Sequence, residues 1–210
     1  MFPRVNASSE TKKILNKALD GRRLTLEEGV LLMKAPSMDT MAIAMTADEV
    51  RRSKVGDEVS YVVNRNINFT NICVGSCKFC AFQKREGDDS AYFLDIPEVV
   101  KKTQEAREMG ATEICLQGGL YPELDVHFYA DLLKSIKNKG NSLHLHAYSP
   151  MEIHHMAQQS DMEIIDALRY LKEKGLDSMP GTAAEILDDG VRRRICSQKI
   201  KSNEWISIVK

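Results

Sequence analysis

Apolar positions recur at helical spacing through residues 1–55, then alternate with period two in short stretches separated by helices. Thr25-Leu-Glu-Glu28 has the form of a capping box and leads into Val30, Leu31 and Met33. A second helix is predicted from about Met38 to Arg52, with Met41, Ile43, Ala44 and Val50 as its buried side. Neither helix carries chemistry, so residues 1–55 are expected to form an N-terminal helical layer on a main domain of residues 56–210.

The main domain opens with Tyr61 to Phe69 as a strand. Val63, Arg65, Ile67 and Phe69 share one face and Asn64, Asn66 and Asn68 the other, a row of amides suited to a polar barrel interior or to bonding among themselves. A helix follows from Asp95 to Met109, with Pro97 in its first turn and Gly110 as its stop. Thr112 to Gln117 is the second strand, ending at Gly118-Gly119. Asp125 starts a helix to about Asn138, ended by Gly140. Leu143 to Tyr148 is the third strand, with His144, His146 and Tyr148 on one face. Residues 151–159 form a short helix or a loop, and Asp161 caps a helix that ends at Lys174 and Gly175. Leu176 to Met179 is the fourth strand, Ile186 to Val191 a short helix, and Ser202 starts one more.

Strands alternating with helices of this length give βαβ units and a parallel sheet. The expected fold class is α/β, a partial parallel (β/α) TIM-like barrel. In that architecture functional residues sit at the C-terminal ends of strands. The unusual stretches fall there: a cysteine loop after the first strand, Gln117-Gly118-Gly119 after the second, His146 and Tyr148 late in the third, Pro180 to Glu185 after the fourth.

Composition narrows the chemistry. The 210 residues are 43% hydrophobic and 28% charged, ordinary for a soluble globular chain. The net charge of −1 gives no reason to expect nucleic acid or an anionic membrane as partner. No apolar run reaches the roughly 18 residues that cross a bilayer. Met1 to Ala7 has no apolar secretion-signal core. Five cysteines, an odd number with three in one loop, argue against a disulfide framework and for a reducing cytoplasm.

Cys73, Cys77 and Cys80 stand in C-x3-C-x2-C spacing, short enough for one loop to wrap one metal centre. Three thiolates are one short of closing a zinc site or saturating a cubane cluster. A 4Fe–4S cluster on these three keeps one iron open for an amino acid's amine and carboxylate. The alternative is zinc with a borrowed fourth ligand, Cys115 or Cys196; spacing and position favour the cluster. Phe79 can shield the cluster or pack on an adenine. Gly118 and Gly119 let a ligand approach the backbone, or simply make a tight turn. His144 and His146 can orient a substrate or move protons, or be satisfied by polar neighbours. Glu185 can hold a ribose hydroxyl, or merely favour the start of a helix. The run Arg192 to Arg194 reads as a solvated face, or as a contact for a carboxylate or phosphate.

The cysteine motif, with an aromatic just before its last cysteine, resembles the radical S-adenosylmethionine signature, and Gln117-Gly118-Gly119 resembles that superfamily's glycine motif. Asn66-Ile-Asn-Phe-Thr-Asn-Ile-Cys73, Phe79-Cys-Ala-Phe82, Leu116 to Leu120, His144 to Ile153 and Gly175 to Leu187 resemble, more narrowly, the CofH family, subunit 2 of FO synthase in coenzyme F420 biosynthesis. The resemblance implies a 4Fe–4S cluster and S-adenosyl-L-methionine as cofactors. It implies a deoxyadenosyl radical that attacks L-tyrosine, and transfer of the 4-hydroxybenzyl fragment to 5-amino-6-(D-ribitylamino)uracil. It also implies an electron donor protein, and FO synthase subunit 1 or a second polypeptide as possible partners. Radical enzymes of the futalosine route to menaquinone share the cysteine loop and the His-x-His strand. They tend to carry a glycine run where this chain has Pro180-Gly-Thr-Ala-Ala. A non-catalytic metal-binding module is the alternative of another class. The family's chain continues past Lys210 with two more strands and a final helix. A truncated or split product, keeping the cluster and part of the cofactor site, is therefore expected.

Overall fold

The computed structural model describes residues 7–140 and 142–210. The reading of the extreme N-terminus concerns Met1 to Asn6 and lies outside the described residues. The chain divides into two compact units, Met1–Tyr61 and Val62–Lys210.

In the first unit α1 (Ser9–Leu19), α2 (Leu26–Met33) and α3 (Thr40–Val55) surround a small core of Ala7, Leu15 and Ala42. Thr25 and Glu28 form the expected capping box of α2. The buried carboxylate of Asp39 accepts from Ser8 N–H at 3.0 Å, Ser8 Oγ at 2.8 Å and Thr11 Oγ1 at 2.7 Å. These bonds tie the start of α1 to the start of α3. The expected buried side of α3 is only partly recovered: Ala42 is buried, Ile43 packs against the core and Val50 is half-buried, while Met41 and Ala44 are exposed. The contact with α1 runs through that small side chain, and three short helices do not enclose the larger ones. Val30, Leu31 and Met33 are likewise exposed.

In the second unit β1 (Asn64–Asn68), β2 (Glu113–Gln117) and β3 (His144–Ala147) form a parallel sheet in the order β1-β2-β3. Helices α4 (Ile96–Glu108), α5 (Val126–Gly140), α6 (Pro150–Gln159) and α7 (Ile164–Glu173) complete the βα units. One sheet face is apolar: Ile67, Phe69, Ile114, Leu116, Leu145 and Ala147 are buried with Val99, Leu132, Leu133 and Met156 of the helices. The other face is polar. Register places Asn66, Cys115 and His146 in one row and Asn68 beside Gln117 in the next. Helices cover the first face, so the alternation predicted for β1 appears as Ile67 and Phe69 buried against exposed or half-buried amides.

Several predicted boundaries move. Tyr61, Val62 and Val63 precede the sheet and are exposed. Tyr148 is not on the face of His144 and His146. It has φ +60°, is fully buried, and donates to the Tyr129 carbonyl at 2.8 Å. The fourth strand shrinks to one parallel bridge between His146 and Ser178. The Asp177 carboxylate takes the Leu145 N–H at 2.7 Å in place of a ladder carbonyl, and Pro180 has no N–H with which to extend the pairing. Helix α7 begins at Ile164 rather than at Asp161, whose φ is +50°. Helix α8 is Asp189–Ile195, capped by Asp188, so Ile186 and Leu187 precede it. Helix α9 (Ser202–Val209) starts where expected. No described helix is long and apolar enough to cross a membrane.

Candidate functional site

The cysteine loop leaves the C-terminal end of β1 and is tied down on both sides. Ile72 makes a parallel bridge with Lys84, reinforced by Cys73 N–H to Lys84 O at 3.0 Å and Lys84 N–H to Asn71 O at 2.9 Å. Asn71 spends both ends of its amide on the returning strand, donating to Ser90 O and accepting from Tyr92 N–H, each at 2.8 Å. Val74 N–H donates to Leu120 O at 3.0 Å, and Lys78 N–H to Ile195 O at 2.9 Å. The loop thus leans on the turn after β2 on one side and on α8 on the other.

That turn fits the loop closely. A Cβ on Gly119 would lie 2.1 Å from Ile72 O, and one on Gly118 would lie 2.4 Å from the Phe69 ring. Only glycine fits at either position. Gly119 N–H donates to Thr70 O at 2.9 Å.

Between loop and turn lies a cavity of about 310 Å³. All three thiol residues Cys73, Cys77 and Cys80 line it, as do Phe79, Gln117, Gly118, Gly119 and Glu185. His144 and His146 do not. They sit on the polar sheet face, where Ser178 Oγ lies 2.7 Å from His144 Nε2 and 2.6 Å from His146 Nδ1. Cys115 lies between Asn66 and His146 on that face and is also outside the cavity.

Three thiols on one loop line one cavity, the donor chemistry a cluster would use. Among the described residues no three His, Cys, Asp or Glu side chains converge on one ion position. A cubane asks something different, one thiolate for each of three irons. Cys196, one of the two candidates for a fourth donor, is buried but does not line the cavity. Burial raises the Cys77 thiol above its ordinary value, Lys199 pulls it down, and Cys196, Cys73 and Cys80 add to the rise. A metal held there would have to displace a proton.

The far wall was only partly expected. Glu185 has φ +40° and is not in a helix. It pairs with Lys199, whose ammonium also lies 5.2 Å from the centre of the Phe79 ring. Gln117 Nε2 donates to Thr182 Oγ1 at 2.8 Å. Arg192 is buried, not solvated. Its guanidinium bonds the carbonyls of Ala183 at 3.2 Å, Ala184 at 2.6 Å, Ile186 at 3.1 Å and Ile200 at 2.8 Å, which holds residues 183–200 together. A run of three arginines gives no sign that one of them turns inward.

Sequence reasoning also missed Glu152. It lines the cavity while almost wholly buried, and burial raises its carboxyl to about 7 against the lowering pull of bonds from Ser149 and Gly118. The signal was present in Ser149-Pro-Met-Glu152, a capping box with proline at the first helical position.

Residues 67–210 match the family described as the Radical SAM superfamily. The chain is 47% identical over 205 residues to the 5-amino-6-(D-ribitylamino)uracil–L-tyrosine 4-hydroxyphenyl transferase of Methanothermobacter thermautotrophicus, covering 98% of this chain and 56% of that one. The enzyme of the same name from Methanocaldococcus jannaschii is 54% identical over 167 residues, covering 78% and 46%. The chain spans about half the length of the curated relatives it matches. Among solved structures, HydG, a maturase of the [FeFe]-hydrogenase, superposes with a TM-score of 0.73 at 16% identity, covering 97% of this chain and 43% of that one. Methylornithine synthase (PylB) gives 0.53 at 18%, covering 78% and 56%. These two share the fold of a parallel sheet and helices.

Proposed function

The chain belongs to the radical SAM superfamily, and from that premise we propose that it serves the transfer of the 4-hydroxybenzyl group of L-tyrosine to 5-amino-6-(D-ribitylamino)uracil, a step of coenzyme F420 biosynthesis. The observation that carries this reading is one cavity lined by three loop thiols and by a glycine turn with no room for a side chain. The names of the long relatives supply the substrates.

When bound, a 4Fe–4S cluster and S-adenosyl-L-methionine supply the one-electron chemistry that starts on tyrosine. The protein holds, orients and excludes water. Cys73, Cys77 and Cys80 hold the cluster. Gly118 and Gly119 bring backbone polar groups to the ligand's amino acid end. Phe79 covers the adenine or the cluster, and Glu185, steadied by Lys199, faces the ribose. His144 and His146 take the substrate side, on the sheet face that carries Asn68 and Gln117 into the cavity wall. A protein electron donor and a reducing, cytoplasmic setting belong to this reading, since the five cysteines are free.

Anaerobic reconstitution with iron and sulfide tests it, followed by incubation with a reductant, adenosylmethionine, tyrosine and the ribitylaminouracil. The expected result is about four iron per chain, 5′-deoxyadenosine, and the acceptor carrying the benzyl group. One zinc per chain without cleavage of adenosylmethionine would overturn it.

A further inference from the structure

Glu152 does more than cap a helix. Three capping boxes in this chain share one arrangement, Thr25 with Glu28, Asp95 with Glu98, and Ser149 with Glu152. Glu98 is exposed and Glu28 partly so, which shows that capping alone asks for no burial. Glu152 is 2% exposed, and burying a carboxylate is costly unless it is well bonded. Its Oε2 accepts from Ser149 N–H and Ser149 Oγ, both at 2.7 Å, which completes the cap. Its Oε1 reaches 34 residues back along the chain to accept the Gly118 N–H at 2.9 Å. Among the described residues Glu152 has no cationic partner. The cavity wall therefore carries a buried acid with no positive charge from the protein beside it.

The bond from Gly118 N–H anchors the Glu152 carboxyl against the turn. Gly118 N–H points to Glu152, Gly119 N–H to Thr70 O, and Gly119 O takes the Tyr121 N–H at 2.9 Å. Among the described residues the Gly118 carbonyl has no donor. The Gly118 C=O belongs to the same trans peptide as the Gly119 N–H, so the bond from Gly119 N–H to Thr70 O fixes that free acceptor. We propose that Glu152 is a positioning residue for the cofactor's ammonium group, a buried carboxyl tied to the glycine turn beside the free Gly118 carbonyl and without a cationic partner of its own, whose ionised form favours a cation there. This rests on the adenosylmethionine reading above.

The reconstituted full chain tests it, as wild type and Glu152→Gln, by calorimetric titration with adenosylmethionine and with its deaminated analogue. Iron content should be unchanged, since no thiol is touched. Affinity for adenosylmethionine should fall about tenfold, the scale of one charge-assisted contact, and affinity for the analogue should barely move. Exchange of the Gly118 amide in the ligand-free protein should quicken. An equal loss for both ligands, or a lowered melting point with unchanged affinity, would leave Glu152 a helix cap and overturn the inference. A wild type that loads iron and binds no adenosylmethionine would overturn the cofactor reading, and this inference with it.

Discussion

Arg192 and Ile200 are joined by a 2.8 Å hydrogen bond from a guanidinium Nη2 to a main-chain carbonyl. The other Nη of the same side chain gathers Ala183, Ala184 and Ile186, so one buried cation organises the far wall of the cavity.

Arg192→Met should cost roughly 3 kcal/mol, because several carbonyls lose a charged donor at once. Arg192→Lys should recover little of it, since a point charge cannot copy the planar fork. Arg193→Ala should stay within about 0.5 kcal/mol. Urea unfolding of the three variants checks the contrast, and equal midpoints for Arg192→Met and Arg193→Ala would refute it.

Gly119→Ala should disrupt the site, because its new carbon would meet Ile72 O at 2.1 Å and Cys73 Cβ at 2.9 Å. The loss should appear both as a lower melting temperature and as reduced iron uptake. Gly29, inside α2 with open space around it, should behave in the opposite way. Gly29→Ala should stabilise its helix by about 0.5–1 kcal/mol, read from the same melts.

Stability should fall as pH rises from about 5 to 7. Glu152 keeps its proton in the folded chain up to about 7, whereas in the unfolded chain it releases that proton near 4.5. The folded state thus binds more protons in that window, and stability declines there by at most roughly 3 kcal/mol. Glu152→Gln should remove this slope. Parallel pH dependences of the urea midpoint for the two proteins would contradict the assignment.

Cys77→Ala should abolish iron uptake on reconstitution. Cys196→Ala should keep it and lose only packing, about 1 kcal/mol, because Cys196 is buried outside the cavity lining. Iron and sulfide analysis of both variants, with thermal melts, decides between a three-thiol and a four-thiol site.

Legibility followed the range of the interactions. The capping boxes at Thr25, Asp95 and Ser149 are local hydrogen bonds and stand in the sequence as written. So are the period-two strands and the cysteine spacing, and together they indicate a parallel α/β sheet with its site at the strand ends. The fourth strand failed because the Asp177 carboxylate takes the Leu145 N–H, a partnership across 32 residues that no pattern displays. The inward turn of Arg192 failed for the same reason, since its acceptors are backbone carbonyls that every sequence possesses. Met41 and Ala44 were assigned to the wrong side of α3 because periodicity gives a stripe, whereas burial depends on which neighbours exist. Glu152 was missed although Ser149-Pro-Met-Glu152 has the local form of a cap, and its reach to Gly118 has no local sign at all.

The absence of clearance between Gly119 and the Ile72 carbonyl makes the thiol loop and the turn beyond β2 behave as one casting, without a hinge. Re-aiming such a pocket at another guest cannot begin there, because every larger side chain would break the mould. Variation is left to the 182–199 rim, whose ties to its surroundings include side chains such as Gln117 and Lys199 that can be exchanged one at a time.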